Sequence, residues 1–360
     1  MLILTGLAFN QMQAQSIKEN RRLVRTYKLT PAMLVEINNK YGNVEVVYWE
    51  TDSVRFVINF EMRAKTQDKL KKLESLINFN FAGSDEYIRA TTNIGTSGGD
   101  LKSEFDNLTN ALNTIGAQAT IDYVVYMPAS NRIKIKNSFG NIFLGDVKTN
   151  LSVDLAHGDL RAGDVLNYSE IKIKFGKAII QSLNESKIDC QFSNLNVEKC
   201  NRLTLISKSS TINISNVKDL NLNSKRDVIT VKDIDVMRGS IYFTGLNIYN
   251  FIRDINIETK FGSLNLELIN RGFDNIQINS SYTDIVLFFQ NGSNFNFNLT
   301  HTELSFNYPS DKAALNTLTV NKEQKQYKTS GEFGTAGASS AKVSIMASKG
   351  SLKIFFREKK

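Results

Sequence analysis

A repeat of 17 or 18 residues constrains this chain more than any other feature of its sequence. With Gly140 of "NSFGNIFLGD" as position zero, apolar residues stand at minus seven, minus five and minus one (Ile133, Ile135, Phe139) and at plus two, plus four and plus seven (Ile142, Leu144, Val147). Gly158 repeats the pattern with Leu151, Val153, Leu160, Ala162 and Val165, and Gly176 with Ile171, Phe175, Ala178, Ile180 and Leu183. The phase outlasts the glycine. Anchors at Ser193, Ser210, Asp227, Thr244 and Gly262 keep Val197, Ile214, Val231, Ile248 and Leu266 at plus four, and Cys200, Val217, Ile234, Phe251 and Ile269 at plus seven. Weaker units are centred on Gly42 in "NKYGNVEVVYW", on Thr283 and Thr302, and on Gly350.

Two short period-two strands joined by a bend cannot bury an inner face alone. Stacked at about 4.8 Å, with like residue above like, they enclose a continuous apolar column. The expected fold is all-β: a β-solenoid with 17–18-residue coils. Gly, Ser, Asp and Thr alternate at the anchor because the chain bends there, and these residues tolerate bent backbone or bond to it locally. Only 3 prolines, with abundant Ile, Val, Asn and Thr, agree with a strand-rich chain.

A small helical insertion is expected near the N-terminus, over 61–119. "EMRAKTQDKLKKLESL" places Leu70, Leu73 and Ile77 at helical spacing, and "INFNF" returns to alternation. A second stripe follows, of Leu101, Phe105, Leu108, Leu112 and Ile115, with Asp100 as N-cap and Gly116 as stop. This stripe is expected to cover an end or side of the stack, which otherwise leaves open edges, with recruitment of a partner helix or a membrane surface as the alternative. "MLILTGLAFNQMQAQS" reads as a signal peptide lacking its basic start, with cleavage after Ala14 or Gln15. No other segment has the roughly 20 apolar residues of a membrane-spanning helix. "TSGEFGTAGASSA", Thr329 to Ala341, reads as a flexible loop. The chain therefore divides into a signal-like segment (1–15), first β units with the insertion (16–130), a regular solenoid (131–310), and a loop with a terminal β unit (311–360).

The stretches "VEINNKYGNVEVVYWETDSV", "IDYVVYMPASNRIKIKNSFGNIFLGDV" and "DLAHGDLRAGDV" resemble the bacterial putative-adhesin family of β-strand-repeat proteins. The resemblance runs from about Lys28 to Leu268, including the interruption after the first unit. It implies an exported, cell-envelope β-solenoid, in the periplasm or at the cell surface, and brings no catalytic residues with it. The chain departs from the family's Gly-rich repeat after Gly176.

The residue chemistry agrees with a binding or scaffolding protein rather than an enzyme. No GxSxG, P-loop or HExxH motif is present. The two histidines, His157 and His301, are assigned to the minus-one slot as substitutes for a turn-site aromatic, without the neighbouring ligands zinc needs. Cys190 and Cys200 fall in inward slots and read as small core fillers, with a disulfide as the alternative. Asp146, Asp164 and Asp233 precede the plus-seven slot; turn-forming Asp explains them, and a calcium ladder is the alternative. No cofactor is expected.

A formal charge of +8, from 44 Lys and Arg against 36 Asp and Glu, favours anionic partners. No nucleic-acid-binding signature accompanies it. The outward candidate is the minus-two slot, where Lys40, Lys174, Lys208, Lys225 and Lys260 would line one edge of the stack, with Asp189 and Glu258 as neighbouring acids. Such a strip could dock an acidic glycan or lipid headgroups; a solvated edge that discourages aggregation is the plainer reading. The expected partners are envelope glycan or another envelope protein. A β-helix carbohydrate-active enzyme is the third reading, and the uniformly short coils from Gly140 to Gly262 speak against it.

Overall fold

The computed structural model describes residues 16–95, 116–335 and 340–358. The signal-like segment and the Leu101–Ile115 stripe lie outside them. Among the described residues the chain forms one sheet of 21 strands with a single α-helix.

The N-terminal part is mixed. β1 (Ile17–Lys28), β2 (Leu34–Lys40), β3 (Val44–Tyr48) and β4 (Ser53–Ala64) precede the helix α1 (Gln67–Leu76); β5 (Ile77–Gly83), β6 (Tyr87–Ile94) and β7 (Ala117–Met127) follow it. β1 pairs antiparallel with β4, and β4 antiparallel with β7. The helix is shorter than the sequence pattern suggests. Glu61–Ala64 still belong to β4, where Met62 and Ala64 alternate inward, and only after Thr66, whose side chain caps the Lys69 amide, does the chain turn helical. Leu70 and Leu73 are the buried side of α1, packed with Met62, Ala64 and Ala117 in a cluster apart from the main core.

The main stack begins where β2 and β3 lie parallel beside β8 (Arg132–Ser138) and β9 (Ile142–Leu144). Next come β10 (Leu151–Ala156), β11 (Asp159–Lys174), β12 (Lys177–Gln191), β13 (Asn194–Lys208), β14 (Thr211–Lys225), β15 (Val228–Tyr242) and β16 (Gly245–Ile269). From β11 to β15 each strand ends two residues before the next begins, so Phe175–Gly176, Phe192–Ser193, Ser209–Ser210, Arg226–Asp227 and Phe243–Thr244 form five successive two-residue corners. Consecutive strands are parallel and in register, Leu195 beside Ile212 and Ile212 beside Ile229. The plus-two, plus-four and plus-seven residues are all buried, as in Leu195, Val197 and Cys200. Between the last two the step is three, and three again from Cys200 to Leu203, so alternation slips by one at each place within a continuous strand. An 18-residue unit carries its additional residue just beyond plus seven, as a register shift between Val165 and Tyr168.

At the C-terminal end the order of stacking departs from the order of sequence. β17 (Asn275–Gln290) follows β16, but its other neighbour is the last strand, β21 (Lys342–Arg357), which separates it from β18 (Phe295–Asn307). β19 (Ala313–Asn321) and β20 (Gln326–Phe333) close that end as an antiparallel hairpin on β18.

Two expectations change as a result. Thr302 is not an anchor: beside β21 it is Leu304 that aligns with Gly350, and Glu303 takes the corner conformation at φ 49°. Thr329–Phe333 is strand rather than loop, and its Gly331 serves close packing, since a Cβ there would lie 1.9 Å from the Ala314 carbonyl oxygen.

Candidate binding edge

Each corner begins with a residue in the left-handed region that L-amino acids avoid. Tyr41, Phe139, His157, Phe175, Phe192, Ser209, Arg226, Phe243, Phe261 and Tyr282 have φ between 50° and 62°. That conformation costs roughly 1–2 kcal/mol per non-glycine residue. Two interactions offset the cost.

The first is stacking of the corner side chains along the edge. Tyr41, Phe139, His157, Phe175 and Phe192 form one run with centroid separations of 5.2, 4.7, 4.8 and 5.2 Å, and Phe243, Phe261 and Tyr282 a second with 5.0 and 4.9 Å. Stacked pairs contribute roughly 0.5–1.5 kcal/mol each beyond burial. The rings stay about half exposed, Phe175 at 50% and Phe243 at 51%, because their faces meet one another while their edges meet water. His157 fills an aromatic slot of this ladder, as its position in the repeat suggests. His301 does not: it lies beside Ala347, three residues before Leu304, and its ring stacks on Tyr327 at 5.4 Å. Burial lowers its pKa.

The second is hydrogen bonding by the anchor residue, which takes two forms. Around Gly42 to Gly176 the amide after the anchor donates to an Asx side chain of the preceding unit: Asn141 N to Asn43 Oδ1, Asp159 N to Asn141 Oδ1 (both 2.9 Å) and Lys177 N to Asp159 Oδ1 (3.1 Å). There the carbonyl of one anchor glycine points at the Cα of the next, and a Cβ on Gly140, Gly158 or Gly176 would meet it at 1.9–2.0 Å. From Ser193 to Thr244 each anchor side chain instead accepts from the preceding anchor amide: Gly176 N to Ser193 Oγ (3.2 Å), Ser193 N to Ser210 Oγ (3.2 Å), Ser210 N to Asp227 Oδ1 (2.7 Å) and Asp227 N to Thr244 Oγ1 (3.2 Å). This explains why Ser, Asp and Thr replace glycine there.

The five candidate lysines fall in one column beside this ladder. Read along the register it runs Lys40, Ser138, Ala156, Lys174, Gln191, Lys208, Lys225, Tyr242, Lys260. Only Lys208 and Lys225 are immediate neighbours; Ser138 and Ala156, Gln191, and Tyr242 separate the others, which keeps the ammonium groups apart. Lys174, Lys208, Lys225 and Lys260 are exposed and form no ion pair within 4 Å with any described residue. The neighbouring acids look elsewhere: Asp189 accepts from Gln191, and Glu258 from the Tyr242 hydroxyl. Two of these lysines lie over rings instead, Lys208 Nζ 5.8 Å from the Phe192 centroid and Lys260 Nζ 5.4 Å from that of Phe261.

Other candidate residues lie apart from this edge. Cys190 and Cys200 are free thiols buried in the core, and burial pushes their pKa values up to about 11 and about 12. Asp146, Asp164 and Asp233 accept from Asp164 N (2.9 Å), Ser182 Oγ (2.7 Å) and Asn250 Nδ2 (2.8 Å), so each carboxylate ties neighbouring units together. No group of three or more His, Cys, Asp or Glu side chains arranged to hold a metal occurs among the described residues. No described helix is long and apolar enough to cross a membrane. The ring ladder is what the sequence reading missed: it took the minus-one aromatics for turn residues, although their recurrence at one slot was the available signal.

No protein-family model matches the chain, and no curated protein does. Three solved structures are similar to it along nearly its whole length. A "putative adhesin" from Parabacteroides distasonis is 8% identical, with 93% of this chain and 97% of that chain covered and a TM-score of 0.34. A "putative adhesin" from Bacteroides fragilis is 10% identical, with 93% and 97% covered and a TM-score of 0.21. A "putative cell adhesion protein" from Clostridium sporogenes is 11% identical, with 94% and 100% covered and a TM-score of 0.19.

Proposed function

We propose that the chain is a non-catalytic, exported cell-envelope protein, adhesin-like or scaffolding, whose stack closes as a β-solenoid and whose corner edge holds an extended partner. A sharp corner in each 17–18-residue unit, with inward residues on both sides of it and alternation that slips within the strand, supports the solenoid. One observation carries the functional reading: the same edge repeats unit after unit, with aromatic rings in one column and lysines in the next, of which Lys174, Lys208, Lys225 and Lys260 form no ion pair with a described residue. A surface that repeats at about 4.8 Å suits a polymer better than a small ligand. The signal-like start supports export.

The basic column favours an anionic polymer, envelope glycan before lipid headgroups, held by Lys40, Lys174, Lys208, Lys225 and Lys260. The test is retention of purified protein on its own cell-envelope fraction across a salt series, for wild type and for a variant with Lys174, Lys208, Lys225 and Lys260 changed to Glu. Binding that weakens with salt and disappears in the folded variant supports the reading. Equal binding by both would overturn the lysine column. Turnover of acidic polysaccharide by the wild type would overturn the non-catalytic reading.

A further inference from the structure

The ring ladder is interrupted at one place. Between Phe192 and Phe243 the corner positions belong to Ser209 and Arg226, in units that stack directly on one another and on their aromatic neighbours. Three steps of about 4.8 Å put the two rings about 14 Å apart at the backbone. The Ser209 side chain is too short to fill its step. Three cations border the gap: Lys208 Nζ lies over Phe192 at 5.8 Å and Arg226 Cζ over Phe243 at 5.8 Å, on opposite sides of it, with Lys225 next to Arg226 in the chain. None of the three is in an ion pair with a described residue, and the nearest carboxylate along the chain, Asp227, is buried and already accepts from Ser207 Oγ, Ser224 Oγ, Ser210 N and Lys225 N.

We propose that this notch is a specificity site for one carboxylated sugar ring of an acidic polysaccharide. The proposal rests on the functional reading above and deepens it. The missing ring leaves a step one ring thick, bounded by the face of Phe192, on which the C–H face of a pyranose can lie once Lys208 swings toward the anion. Arg226 offers a planar fork that a carboxylate fills with two hydrogen bonds, and Lys208 and Lys225 add charge on either side. Inside both ring runs the faces are already used by neighbouring rings, so within the ladder an open step for a sugar ring lies at the break. An anionic lipid surface is the less suited occupant, because a headgroup at the end of two acyl chains reaches the lysine column equally well at every unit and gains nothing from the gap.

The decisive variant is Ser209→Phe. It restores the missing rung with an aromatic ring, which this corner carries in eight of the ten units from Tyr41 to Tyr282 and as Phe in five, and it leaves all three cations in place. Binding of polygalacturonate oligosaccharides, their methyl esters and phosphatidylglycerol vesicles is measured for wild type, Ser209→Phe and Arg226→Gln, with thermal unfolding as the check on folding. The expected result is acid-dependent binding by wild type, weakened about tenfold or more in each variant, with Ser209→Phe melting no lower than wild type. Unchanged binding by a folded Ser209→Phe protein would overturn the notch, as would equal affinity for the methyl esters. Vesicle binding insensitive to Ser209→Phe, with no oligosaccharide binding, would also overturn it. Loss of envelope retention in the four-lysine variant alongside unchanged Ser209→Phe binding would sink the notch and leave the functional reading standing.

Discussion

The units cornered by glycine and those cornered by Ser, Asp or Thr solve one geometric problem with opposite chemistry. At Gly140, Gly158 and Gly176 the backbones approach until the carbonyl of one anchor touches the Cα of the next, and the bond to the following amide comes from Asn43, Asn141 or Asp159. At Ser210, Asp227 and Thr244 the backbone pairs regularly, Thr211 N with Ser193 O and Val228 N with Ser210 O, and the anchor side chain reaches back to the preceding anchor amide. Glycine is obligatory in one region because nothing fits. In the other region a side chain is needed because an amide would otherwise lose its partner.

The largest expected effect is on the glycine side. Gly158→Ala places a methyl group 2.0 Å from the Gly140 carbonyl oxygen, a contact relieved only by parting two units. It is expected to cost about 3 kcal/mol or more in denaturant unfolding; a loss below about 1 kcal/mol would mean that the glycine corners are not closely packed. Asp227→Ala comes next, since it strips four donors of their acceptor at a position only 2% exposed. A loss of about 2–3 kcal/mol is expected, and Asp227→Asn, which keeps an acceptor oxygen, should recover part of it. Ser210→Ala removes a single acceptor from the Ser193 amide and should cost about 1 kcal/mol. If Ser210→Ala is as damaging as Asp227→Ala, the side-chain relay and not the carboxylate is the critical element.

A smaller effect distinguishes the same two regions by pH. Cys190 and Cys200 lie on strands that enter and leave the Ser193 corner, with folded pKa values near 11 and 12 against an ordinary 9.0. The folded state therefore holds thiol protons that the unfolded chain releases first. The stabilisation is complete below pH 9 and is lost as pH rises toward the folded values, at up to about 1.4 kcal/mol per pH unit for each thiol. Replacing both cysteines with Ala should flatten the unfolding free energy between pH 9 and 10; an unchanged slope would mean that the thiols do not differ between the two states.

Much of this arrangement was legible in the sequence because it is local. The inward slots repeat within 17 or 18 residues, and every one named from Gly140 to Gly262 is buried, from Ile142 to Ile269. The lysine column follows from the same count, although Ser138, Ala156, Gln191 and Tyr242 interrupt it. What escaped depends on order in space. Counting along the chain cannot reveal that β21 slips between β17 and β18, and the phase at Thr302 fails for that reason, since β18 is aligned by β21 and not by the unit before it. The antiparallel pairing of β1, β4 and β7 was equally hidden, because alternation is the same in strands of either direction. The break at Ser209 became meaningful only once the rings on either side were seen to stack.

The central claim is that successive units rise by one sheet spacing and carry their corner edge in a single line. Spin labels on cysteines introduced pairwise at Lys40, Lys174 and Lys260, in a protein lacking Cys190 and Cys200, test it directly. Three, five and eight steps of about 4.8 Å predict backbone separations of roughly 14, 24 and 38 Å for Lys40–Lys174, Lys174–Lys260 and Lys40–Lys260, with the two shorter values summing to the longest. A Lys40–Lys260 distance well short of that sum would mean that the edge is not straight, and the account of units stacked in a single line would fall.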